Sequence, residues 1–227
     1  MAIAAALLLL GLTVMFMNLP AISLTRAFRP GSADDPLLTR SIWAYPHVVL
    51  GMVGIFFYVG LEIALAAITI KFCQQEGISS VETAGLMLSL YYLSMMIGRF
   101  LGSFVMRWIK AEKLLVVLGF LGVALLLVSM FTSGQVAIWS LVLCGIANSV
   151  MYPNIFALGI AELGPMTSKG SGVITIGNVG GAAIPLLFGW LSDRVGIQYA
   201  FIVPIVGYLY VAYYGLSGYK PTRSERA

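Results

Sequence analysis

Apolar residues run through this chain in blocks of about 20, broken by short polar turns. Seven such stretches stand out, at roughly 3–22, 47–70, 83–106, 114–131, 136–160, 170–191 and 197–216. A helix needs about 20 mostly apolar residues to cross a hydrocarbon core about 30 Å thick. The region 114–161 carries no charge and is too long for one crossing, and Ser133-Gly134-Gln135 is the turn that divides it. The pattern predicts an all-α membrane protein with seven transmembrane helices.

The connections are unequal. Segment 23–46 holds Arg26, Arg29, Asp34, Asp35 and Arg40 with several prolines and reads as a linker between two bundles, whereas the other connections are short hairpins. The stretch that opens the chain lacks a positive flank and an obvious cleavage site, so it makes a poor signal peptide. One span, a long loop and six further spans read as the back part of a longer polypeptide. The expected organisation is a last helix of an absent N-terminal bundle (1–22), a central loop (23–46), a six-helix bundle (47–217) and a tail (218–227). On this reading the sequence is a fragment or a truncated gene product.

Composition narrows the class. The chain of 227 residues is 60% hydrophobic and 10% charged, and its mean hydropathy is +0.97. Soluble domains average about 45–50% apolar and about 25% charged. A globular soluble enzyme, a disordered chain and a secreted disulfide scaffold are excluded, the last because only Cys73 and Cys144 are present. The net charge of +4 would suggest nucleic acid in a soluble protein. Here the basic residues lie between apolar runs, so the expected partner is the lipid bilayer and not nucleic acid. Counted over alternate loops, one side carries ten Lys and Arg and the other only Lys71 and Arg194. The positive-inside rule then makes the long loop and the C-terminus cytoplasmic, in a multi-pass protein of the inner (plasma) membrane.

Polar residues inside apolar spans are the candidate chemistry. Glu62 is the one carboxylate within a span, and such groups usually face a cavity or a partner. The span bounds put it about 22 Å from His47, past the midplane. Tyr58 lies one turn before it on the same face. An aromatic ring beside hydroxyl acceptors suits a sugar. Asn148 and Asn178 offer both donor and acceptor to a polyol, with Tyr152 and Thr175 on their faces. The plain alternative for both is helix–helix hydrogen bonding. Tyr92 and Tyr91 are weaker candidates, one of which should face lipid. Gly98 and Gly102 have GxxxG spacing for close helix approach, beside Arg99, which either snorkels or holds a gate. Pro153, Pro185 and Pro204 should interrupt helices, and the glycine-rich sixth stretch is the expected moving element. No P-loop, metal cluster or catalytic triad is visible, so neither an enzyme nor a cofactor is expected.

The motifs occur in a telling order. FYVGLE (57–62) is followed by the pair Tyr91-Tyr92 and IGRFLGS (97–103), then NSVMYPNIFALGI (148–160), GGAAIPL (180–186) and SDRVG (192–196). Together they resemble the C-terminal half of the fucose/glucose/galactose–proton symporter family of the major facilitator superfamily. The resemblance implies two six-helix halves around a central cavity, alternating access, and uptake of a hexose or deoxyhexose driven by a proton gradient. The N-terminal half, expected to hold the proton-coupling carboxylates, is then the missing partner. GWLSDRVG (189–196) resembles a facilitator signature loop that is normally cytoplasmic, although the charge count puts this copy outside. Asp193 and Arg194 are therefore gating or packing candidates, with helix capping by Asp193 the plainer reading. A facilitator for another small solute and a seven-helix receptor remain as alternatives.

Overall fold

The computed structural model describes residues 41–78 and 80–221. The expected first span and central loop lie outside the described residues. The described residues contain six helical spans long and apolar enough to cross a membrane. They comprise α1 (Pro46–Gln75), α2 (Val81–Val105), α3 (Ala111–Phe131), α4 (Gly134–Asn148) with α5 (Met151–Gly159), α6 (Thr167–Ile176) with α7 (Gly180–Val195), and α8 (Ile197–Ala200) with α9 (Ile202–Tyr213). These spans match the six later hydrophobic stretches.

Helix α1 is the hub and packs against α2, α5, α6, α7 and α9. Around it, α4 lies on α2 and α3, and α9 lies on α3. Glycines set the closest approaches. A Cβ on Gly177 would collide with the Met52 carbonyl, and one on Gly180 with the Phe56 carbonyl. The glycines of the α6–α7 span therefore let it lie backbone to backbone on α1.

Three spans are broken, two of them at proline. Proline lacks an N–H, and its ring clashes with the carbonyl four residues earlier. Pro153 acts on Ser149, where α4 gives way to α5, and Pro204 acts on Ala200, where α8 gives way to α9. Pro185 departs from expectation. It sits inside continuous α7, and the break in that span is the 3-10 turn Gly177–Val179.

Each end of the bundle is tied across helices. At one end Glu76 accepts hydrogen bonds from the Gly134 N–H (2.7 Å) and from Gln198 Nε2 (3.0 Å). A carboxylate there also suits the positive N-terminus of α4. At the other end His47 Nε2 lies 3.1 Å from the Ala161 carbonyl, and Tyr214 donates to the His47 carbonyl (3.2 Å).

A candidate substrate cleft

A cleft of about 490 Å³ opens between α1, α2 and the α4–α5 break. Tyr58 and Glu62 line it from α1, Arg99, Ser103 and Met106 from α2, and Ser149, Val150, Tyr152 and Pro153 from the break. Glu62 is the seventeenth of thirty residues in α1. The observed helix runs past residue 70 to Gln75, so Glu62 sits near mid-helix and not beyond it. It is half-buried, as is Tyr152.

The break in the fifth stretch builds one wall. Interrupting the helix at Ser149 and Val150 frees carbonyls that would otherwise accept the next turn's N–H groups. Two of them are taken by side chains from other helices. Tyr58 Oη donates to the Asn148 carbonyl at 2.9 Å. Arg99 Nε donates to the Ser149 carbonyl at 3.2 Å. Gly98 and Gly102 make this reach possible. A Cβ on Gly98 would lie 2.6 Å from Ser149 Cβ, and one on Gly102 would lie 2.6 Å from Val150 Cγ1. Both glycines serve packing of α2 against the break.

Of the sequence candidates, Glu62, Tyr58, Tyr152 and Arg99 meet in this cleft. Asn148 does not line it. It is fully buried, its Nδ2 donates to Tyr91 Oη at 2.8 Å, and its Oδ1 accepts from Tyr208 Oη at 2.7 Å. Its side chain thus follows the plainer reading of helix–helix hydrogen bonding. Tyr91 is the inward member of its pair, and Tyr92 is 51% exposed. Tyr92 precedes Arg99 by seven residues and shares its face of α2, about 10 Å along the axis. Asn178 sits exposed in the 3-10 turn between α6 and α7, away from the cleft lining.

Asp193 caps no helix. It is exposed near the end of α7 and pairs with Lys71 at 3.5 Å. Arg194 lies 4.6 Å from the Trp190 ring centroid, a cation–π contact. Sequence reasoning passed over Tyr208, Ser149 and Ser103. Tyr208 carries no motif, and only the packing of α9 on α1 and α3 brings it to Asn148.

No family model matches the chain. Sequence relatives are nonetheless clear. It is 40% identical over 194 residues to the glucose/galactose transporter of Brucella abortus, covering 82% of this chain and 47% of that protein. It is 28% identical over 211 residues to the L-fucose-proton symporter of Escherichia coli K12, covering 90% and 47%. A crystal structure of the E. coli fucose:proton symporter, FucP, superimposes with a TM-score of 0.82 at 28% identity, over 95% of this chain and 53% of that one. The bundle is a major facilitator superfamily half, related to the glucose/galactose and L-fucose–proton transporters. The chain spans about half the length of the curated relatives it matches, which is consistent with a C-terminal half. It is a multi-pass membrane protein.

Proposed function

We propose that this chain supplies the C-terminal half of a proton-coupled transporter for a hexose or deoxyhexose such as fucose, glucose or galactose. Its cleft contributes one wall of a central cavity that opens alternately to either side. A second six-helix half supplies the other wall. Segment 1–22 belongs with that half, 23–46 is the central loop, and the Lys- and Arg-rich side, including the tail 218–227, faces the cytoplasm of an inner-membrane protein.

The observation that carries this reading is the cleft itself. Within an apolar bundle, Glu62 can accept from sugar hydroxyls, Arg99 and the tyrosine hydroxyls can donate, and the Tyr152 ring offers an apolar face. Intramembrane charges at such a place mark a polar path. Tyr92 and Asn178 join the site if the second half packs on their exposed faces.

The test is uptake of labelled D-glucose, D-galactose and L-fucose into vesicles containing the full-length protein. Uptake of at least one sugar should collapse when the proton gradient is dissipated. Uptake indifferent to that gradient refutes the coupling, and no uptake of any of the three refutes the substrate class.

A further inference from the structure

We infer that Tyr58 and Arg99 form a two-point latch on the α4–α5 break, and that a ligand in the cleft releases it. This inference rests on the cleft being the substrate site. The two side chains come from different helices, α1 and α2, and grip adjacent carbonyls, those of Asn148 and Ser149. Both also line the cleft. Their donors are therefore shared between the broken span and whatever occupies the cleft.

The break is built to move. Pro153 prevents the helix from closing over Ser149, and Val150 sits at φ −121°, ψ 9°, off the helical geometry. The angle between α4 and α5 is thus held by side-chain hydrogen bonds and by packing of α5 on its neighbours, not by an unbroken backbone ladder. Helix α5 carries Tyr152 into the cleft and packs on α1 and α6. A polyol that takes the Tyr58 hydroxyl or the Arg99 guanidinium removes a restraint from α5 at the moment the cleft fills. Occupancy is thereby coupled to the shape of the span. Arg99 suits this role better than lysine, because another nitrogen of its fork can engage the ligand first and then draw Nε off the carbonyl. Nη2 donates to Met95 Sδ at 3.4 Å, a weak acceptor that a hydroxyl would displace.

The experiment is hydrogen–deuterium exchange of full-length protein in lipid nanodiscs, read on peptides covering 148–155. Tyr58→Phe removes one hydroxyl and keeps the ring. Arg99→Lys keeps the charge and loses the Nε geometry. Without ligand, each should speed exchange in 148–155 about tenfold, since losing one buried hydrogen bond is worth about that factor. Peptides across Tyr208 should stay unchanged, which shows that the fold is intact. The sugar that the uptake assay identifies as carried should speed 148–155 in the parent and add nothing in the double variant. Parent-like exchange in both variants overturns the latch, and a carried sugar without effect on the parent overturns its release. If no sugar is carried, the function proposed above fails, while the unliganded comparison still decides the latch.

Discussion

Replacing Asn148 by alanine tests the tyrosine network most sharply. The side chain is fully buried and joins α4 to α2 through Tyr91 and to α9 through Tyr208. Alanine strands two tyrosine hydroxyls that are themselves buried at 0% exposure. Interhelical hydrogen bonds in membranes average about 0.6 kcal/mol and reach about 1.7 kcal/mol, so losing two costs about 1–3 kcal/mol. Truncation adds about 1 kcal/mol for the void, because the tyrosine rings cannot close over it without moving three helices. The expected loss is about 2–4 kcal/mol, read by steric-trapping unfolding in bilayers. Tyr208→Phe alone should cost about 1 kcal/mol, and combined with Asn148→Ala it should cost less than the sum, because the two share one bond. An Asn148→Ala variant within about 0.5 kcal/mol of the parent refutes the reasoning. Loss of uptake at unchanged stability would instead return Asn148 to the substrate path.

Gly180→Ala should destabilise the fold by more than about 2 kcal/mol, since its Cβ meets the Phe56 carbonyl, while Gly172→Ala, with nothing near, should be close to neutral in the same unfolding assay. Glu62→Gln should cut proton-driven uptake at least tenfold, since a hydrogen bond to a charged group is worth about 1.5–3 kcal/mol, and parent-like uptake would remove its assigned role. Glu76→Ala should cost about 1–2 kcal/mol in the unfolding assay, because the Gly134 N–H and Gln198 both lose their acceptor. Asp193→Asn should shift stability by less than about 0.5 kcal/mol, as both partners of its ion pair are exposed.

Hydrophobic length alone located the six described spans, because bilayer thickness fixes helix length and leaves few alternatives. Glu62, Arg99 and Tyr152, which meet in one cleft, could be picked out for a related reason, since polar groups in apolar spans stand out. What the sequence could not reveal is which polar groups satisfy one another. Asn148 and Glu62 look alike as midspan polar residues. One is consumed by tyrosines from two helices and the other faces the cleft, a difference set by helix rotation. Proline placement was half legible. Pro153 and Pro204 mark breaks four residues upstream, but Pro185 lies within a continuous helix, and glycine contacts with α1 coincide with the break before it. Tyr92, whose ring meets Tyr91 edge to face, and Asn178 are both exposed on the described bundle, which a pattern of polar positions does not foretell.

The most direct test of the account is protection of the cleft by sugar. Ser103 lines it and is exposed, and the native Cys73 and Cys144 are buried, so a Ser103→Cys variant of the full-length protein gives a single accessible thiol among the described residues. Its maleimide labelling should slow several-fold in the sugar that the protein carries, and not in mannitol. A carried sugar that leaves the labelling rate unchanged would place the substrate elsewhere and contradict the account.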